Sequence, residues 1–194
     1  MNLRLFVALE PPDLVRRRLA AIQADLKRAA GRALAEIRWI PPENVHLTLQ
    51  FLGAVLDDRL EDVKTAVAGA ALAAVPFHLE VGGAGGFPSA RRARVLWAAV
   101  GGDVAPLREL VSALGSRLAP IGFSPEERPF SPHLTLGRAR DSRGVPGLAA
   151  HLAQIGEAPG VSWRATEVVL FQSHLGPGGA RYEALARAPL GRAG

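Results

Sequence analysis

Residues 44–53 read NVHLTLQFLG, and the tetrapeptide within them, His46-Leu47-Thr48-Leu49, returns as His133-Leu134-Thr135-Leu136 inside PFSPHLTLGRAR. Alternate side chains of an extended chain face opposite ways, so His46 and Thr48 share one side and Leu47 and Leu49 the other. The second copy repeats this, with His133 and Thr135 against Leu134 and Leu136. Each strand therefore has an apolar face that can join a core and a face carrying an imidazole and a hydroxyl. The copies stand 87 positions apart, too far for a solenoid period and suited to two related lobes. If each leucine face packs on helices, the two His/Thr faces can meet across a cleft.

Working outward, LRLFVAL (3–9) has the pattern of a strand, and PPDLVRRRLAAIQADLKRAA that of a helix, with proline at its start and a basic end before Gly31. IRWI leads through Pro41 and Pro42 into the first motif strand, after which LDDRLEDVKTAVAGAALAAV begins with acids and continues as a helix. FHLEV is a strand, GGAGGFPSARR a glycine-rich loop, ARVLWAAV a strand, and Asp103 to Leu118 a helix. Beyond the second motif, VPGLAAHLAQI is a short helix, VSWRATEVVLFQS one strand, GPGG a turn and RYEALARAPL a final strand. Helices alternate with strands, often more than one at a time, and no polar linker divides the chain. The pattern predicts an α+β fold in preference to a doubly wound parallel sheet, with one globular unit.

With 194 residues, 48% of them hydrophobic, the chain can bury one substantial core. It contains no cysteine, so disulfides and thiolate chemistry are excluded and a cytoplasmic location fits. The start, MNLRLFVALEPPDL, is not a signal peptide, and the Ala-rich run before Pro76 is far too short to span a bilayer. No membrane partner is expected. The formal net charge of +5, almost all of the positive part arginine, leans toward an anionic partner such as RNA.

Two opposed histidines suit in-line cleavage of a cyclic phosphate. One imidazole takes a proton from incoming water while the other gives one to the departing alkoxide, and the pKa of histidine allows either role near neutrality. Threonine hydroxyls can donate to the non-bridging oxygens and an arginine can offset their charge, so the chemistry needs no metal and no cofactor. The motifs themselves offer only two imidazoles and no carboxylate at convincing ligand spacing. GGAGGFPS lacks the Lys-Ser/Thr of a phosphate-binding loop. Ser131 and Ser173 have no acidic orienter in view, which disfavours a serine hydrolase.

A single HLTL would be an ordinary half-buried strand; two with matching parity are a pattern. Together with RLFVAL, WIPPENVHLTLQFLG, GGFPSARRARVLWAAV, PFSPHLTLGRAR and LFQSHLGPGGARYEAL, the paired elements resemble the two-histidine (2H) phosphoesterase superfamily. Within it the chain is most similar to the bacterial and archaeal RNA 2′,3′-cyclic phosphodiesterases, historically called 2′-5′ RNA ligases. The resemblance implies a bilobal α+β fold of two antiparallel-rich sheets with outer helices around a central cleft, residues 1–194 forming a single domain of two pseudo-symmetric lobes. It also implies opening of RNA 2′,3′-cyclic phosphate ends to 2′-phosphates without a metal, and ligation as a possible reverse reaction. It makes His46 the proton donor to the leaving 3′ oxygen, His133 the proton acceptor that activates water, and Thr48, Thr135 and Arg138 phosphate-contacting residues. Arg138, five positions after His133, has the wrong parity for a regular strand, and Gly137 is a candidate bulge that would redirect it. At the same offset the first motif has Phe51, and Gln50 stands where the family often has lysine.

Phe51, Trp97 and Tyr182 lie in strand-like runs, where core packing is the commoner role than stacking on a nucleobase. Arg91, Arg92 and Arg94 form a loop cluster that could guide RNA phosphates or simply be solvated. His78 and His151 have no partner motif, and His174 lies in SHLGPGG, a segment in which the resemblance assigns it no catalytic role. The expected partner is RNA with a cyclic phosphate terminus, and the expected state a monomer. Alternatives are a 2H enzyme acting on another cyclic phosphate or a 2′-5′ linkage, and an RNA-binding module without turnover.

Overall fold

The structure, a computed structural model, describes residues 2–31, 37–141, 143–156, 160–177 and 179–191. The chain begins with β1 (Asn2–Leu9), α1 (Asp13–Ala30), β2 (Ile37–Trp39) and β3 (Leu47–Leu56), followed by α2 (Leu60–Ala73) and β4 (Phe77–Phe87). Next come β5 (Arg92–Ala93), β6 (Val95–Gly102), α3 (Val104–Leu118), β7 (His133–Ala139), β8 (Val145–Pro146) and α4 (Ala149–Gly156). The last strands are β9 (Val161–Ala165), β10 (Glu167–Gly176) and β11 (Gly179–Pro189). A four-stranded sheet runs β11-β10-β1-β3 and a five-stranded sheet β2-β7-β6-β4-β9, with β5 and β8 as a small pair. Every one of these pairings is antiparallel.

One motif strand lies in each sheet, β3 at an edge of the first and β7 next to the edge of the second. The two nevertheless approach within 8 Å between Cα atoms. Their leucines face inward, Leu47, Leu49, Leu134 and Leu136 all being buried. Helix α1 supplies Val15, Leu19, Ile22 and Leu26, at helical spacing, to the same core. It packs with α4 beside β4 and β9, while α2 lies along β10 and β11 and joins α3. The helices thus cover the leucine sides and leave the His/Thr sides open.

Two sequence-based expectations change. GGAGGF is the second half of β4 and not a loop. Gly83 is the extra residue in its pairing with β6, at φ 69°, a conformation glycine adopts without cost. At Gly85 the backbone lies directly against the Trp97 indole, where a Cβ would come within 2.2 Å of the ring. Glycine looks like loop in a sequence because its tolerance for close approach leaves no local signature. VSWRATEVVLFQS, in turn, is two strands: β9 belongs to the five-stranded sheet and β10 to the four-stranded one. The chain changes sheets at Thr166, whose carbonyl accepts from Leu190 N–H, and a continuous alternation cannot reveal such a switch.

Because the indole occupies the space a side chain would need, Gly85→Ala is expected to lower unfolding stability by about 1–3 kcal/mol. Chemical denaturation would measure this. A variant as stable as the parent would mean that Trp97 does not rest on that backbone.

Candidate active site

Each motif strand carries an irregularity at the same place. Along β3, Ala8 pairs with Thr48 and Val7 with Gln50, so Leu49 is an extra residue. Along β7, Trp97 pairs with Thr135 and Leu96 with Gly137, so Leu136 is extra. A bulge of this kind reverses the facing of the residues that follow it, in β3 as far as a second register shift at Leu52. The residue five positions after each histidine therefore joins the histidine and threonine on the open face. In β7 this is Arg138 and in β3 it is Phe51, and both line the cleft. Arg138 thus reaches the site as the bulge required. Phe51 does not pack in the core; it is 53% exposed and forms part of the cleft wall.

Buried amides support both bulges. Gln23 of α1 donates through Nε2 to the carbonyls of Ile40 (2.7 Å) and Leu136 (2.9 Å), and Ile40 N–H also donates to Leu136 (2.9 Å). Gln50, also buried, donates to the carbonyl of Phe123 at 3.2 Å, so it ties β3 to the segment after α3 and makes no basic contact. Gln23 was invisible as a functional residue in the sequence, where a lone glutamine on a helix carries no signal.

The cleft has two adjoining compartments. The smaller, about 380 Å³, is lined by His46, Thr48, His133, Thr135, Arg138 and Tyr182, among others. The larger, about 860 Å³, shares Thr48, Phe51, His133 and Arg138 and extends past Phe87, Phe130 and Arg140. Of the arginine cluster after Pro88, Arg94 belongs to that lining and Arg91 and Arg92 do not. Arg4 joins Arg138 around the smaller compartment.

The histidines are held in the same way. His46 Nδ1 is 3.0 Å from the carbonyl of Asn44, and His133 Nδ1 is 2.8 Å from that of Ser131. A carbonyl can only accept, so each Nδ1 carries the hydrogen and each Nε2 is left for the cleft. His46 stacks on Phe6 at 4.5 Å between centroids and meets Tyr182 edge-on at 4.9 Å, with Phe171 behind them. His133 meets Phe87 edge-on at 5.1 Å, with Trp97 beyond at 6.5 Å. Trp97 is thus packing behind a histidine, whereas Tyr182 faces the compartment. Burial pushes the Tyr182 phenol up, against the pull of Arg138 and Arg4, so it remains a neutral donor. The remaining histidines stand apart: His78 and His151 line neither compartment, and His174 pairs with Glu183 at 2.9 Å. Among the described residues no group of three or more His, Cys, Asp or Glu is placed to hold a metal ion. Among them, too, no helix is long and apolar enough to cross a membrane.

Burial against the aromatic cluster lowers the His46 pKa from 6.5 to about 4; the Asn44 hydrogen bond opposes this and the Arg138 charge adds to it. Such a group takes up a proton more readily unfolded than folded, so its contribution is fully present above pH 6.5 and is lost as pH falls toward 4. The loss should approach about 3 kcal/mol. Unfolding free energy measured against pH is therefore expected to fall more steeply over that window in the parent than in His46→Gln. Parallel curves would mean that the imidazole is not held neutral.

The chain is similar to known proteins over nearly its whole length. A family model described as LigT like Phosphoesterase matches residues 9–97 and 102–182, which include both motifs. A protein named RNA 2′,3′-cyclic phosphodiesterase from Methanothermobacter thermautotrophicus is 33% identical over 94% of this chain and 96% of the relative. One of the same name from Aeropyrum pernix is 32% identical over 84% and 91%. Among solved structures, TT0787 of Thermus thermophilus superposes with a TM-score of 0.76 at 27% identity, covering 96% of this chain and 97% of that one. Escherichia coli LigT complexed with 3′-AMP gives 0.74 at 28% identity over 99% and 100%. With a match through both motif strands and relatives aligned over nearly its whole length, the chain belongs to the LigT-like phosphoesterase family.

Proposed function

We propose that this protein hydrolyses 2′,3′-cyclic phosphate ends of RNA to 2′-phosphates. The observation that carries the proposal is the convergence on one compartment, which Arg138 also lines, of two His-x-Thr strands bulged at the same position. Relatives named for this activity support the substrate class.

In the proposed reaction the cyclic phosphate lies between the imidazoles, its non-bridging oxygens accepting from Thr48 and Thr135 and facing Arg138. His133 Nε2 takes a proton from water as the water oxygen bonds to phosphorus. The bond from phosphorus to O3′ breaks on the opposite side, and His46 Nε2 gives O3′ its proton. In the free protein His46 is neutral, so it acquires that proton with the substrate, whose negative charge offsets Arg138. One imidazole enters protonated and the other neutral, and the next turnover restores this after proton exchange with solvent. With a 5′-hydroxyl in place of water, the same geometry opens the cyclic phosphate to a 2′-5′ linkage, His133 taking the hydroxyl proton and O3′ again leaving with the proton from His46. Every proposed contact comes from one chain, which fits a monomer, and an RNA substrate fits a cytoplasmic enzyme. The shared bulge and the shared carbonyl support on Nδ1 favour one domain of two pseudo-symmetric lobes.

Incubating an RNA ending in 2′,3′-cyclic phosphate with the protein and EDTA is expected to give the 2′-phosphate. His46→Ala and His133→Ala should each lower kcat by about 10²–10⁴-fold, and Arg138→Ala by about 10²–10³-fold, from loss of an anion contact. Turnover close to the parent's in either histidine variant would end the two-histidine mechanism, and a 3′-phosphate product would reverse the leaving group.

The pH profile provides an independent check. Because one imidazole must be neutral and the other protonated, kcat/KM should follow a bell in pH whose limbs belong to the coupled pair. A rate that rises steadily to high pH would contradict paired acid and base catalysis.

A further inference from the structure

The larger compartment has features that a cyclic mononucleotide does not use. It is lined by Arg94, Arg128 and Arg140 in addition to Arg138. None of the four makes an ion pair among the described residues. Two carboxylates also line it, Glu126 and Asp141. Asp141 is taken by Arg143, at 2.6 Å, which holds its carboxyl down to about 2. It therefore leaves the charge of Arg140 uncompensated.

Arg138 lies in β7 and Arg140 directly follows that strand's last residue, Ala139, so the chain brings two cationic side chains to the compartment in succession. Arg94 is fixed beside them, since Ala139 N–H donates to its carbonyl at 2.8 Å and its own N–H donates to Phe87 at 2.7 Å. Across the same compartment Phe87, Pro129 and Phe130 offer apolar surface of the kind a base can stack on.

We propose that this compartment is a subsite for the nucleotide on the 5′ side of the cyclic terminus, making oligoribonucleotide ends, rather than cyclic mononucleotides, the preferred substrate class. It rests on the function proposed above. Arg138 faces the cyclic phosphate, Arg140 faces the next phosphate along the chain with Arg94 and Arg128 around it, and the penultimate base lies against Phe130. The contacts are to backbone and to a base face, so the subsite is tolerant of sequence.

The test compares kcat/KM for a 2′,3′-cyclic mononucleotide and for a trinucleotide ending in the same cyclic nucleotide, over a range of salt. In the parent the trinucleotide is expected to be favoured at least tenfold, with a steeper salt dependence. Each added phosphate contact should steepen the log-log slope by about 0.7. Arg140→Ala should lower the trinucleotide-to-mononucleotide ratio about tenfold and remove one such increment. Arg128→Ala, on a different segment, provides a second variant, with thermal unfolding of both checking that they fold. If the parent turns over both substrates equally, or Arg140→Ala and Arg128→Ala leave the ratio unchanged, the subsite is overturned and the cyclic-phosphate activity stands. Hydrolysis of neither substrate overturns that activity and this inference with it.

Discussion

Each motif strand of this protein carries an extra residue three positions after its histidine, and the site depends on where that residue falls. Leu49 and Leu136 are both extra and both buried. Their burial fixes the leucine faces in the core, where an exposed alternative would forfeit roughly 1.5–3 kcal/mol for each side chain. With the strands so fixed, His46 and Thr48 have only the open face left, as have His133 and Thr135. The bulge then turns the following residues by one step, bringing Arg138 into the cleft and Phe51 to its wall. A regular β7 would bury the guanidinium among leucines, which no unpaired charge tolerates. The carbonyl freed at Leu136 would be costly too, and Gln23 and Ile40 satisfy it.

The two halves share geometry but differ in surroundings. His46 lies against Phe6 and Tyr182 and is held neutral, with Arg138 nearby. His133 has only edge contacts with Phe87 and Trp97. Where the second strand presents an arginine, the first presents an aromatic ring. An anion entering between them therefore meets Arg138 from one motif strand and the ring of Phe51 from the other, with Arg4 beside them, an asymmetry suited to holding a phosphate beside a nucleoside.

Much of this was legible from the residues alone. The alternation of HLTL marked the leucines for the core and the histidines for a common face, and its recurrence marked two strands that had to meet. The position of Arg138 was a conflict in the sequence, resolved by a bulge that Gly137 suggested and that the strand pairing places at Leu136. Other features left no local trace. Phe51 resembles a core residue because the Leu49 bulge cannot be seen in an apolar run. GGAGGF resembles a loop because glycine's function there is to leave room for Trp97 from another strand. The sheet change at Thr166 and the reach of Gln23 to Leu136 depend on contacts between segments distant in sequence, which periodicity does not encode.

The central claim is that both imidazoles, fixed through Nδ1, aim Nε2 at one phosphate. Nitrogen-15 NMR of the histidine rings, recorded free and during titration with 2′-AMP as a product-like ligand, tests it most directly. In the free protein near pH 7, His46 should be the neutral Nδ1–H tautomer. Addition of 2′-AMP should shift the Nε2 signals of His46 and His133 along one binding curve with a single Kd. An Nε2–H tautomer at His46, or a response confined to one of the two rings, would contradict the shared site.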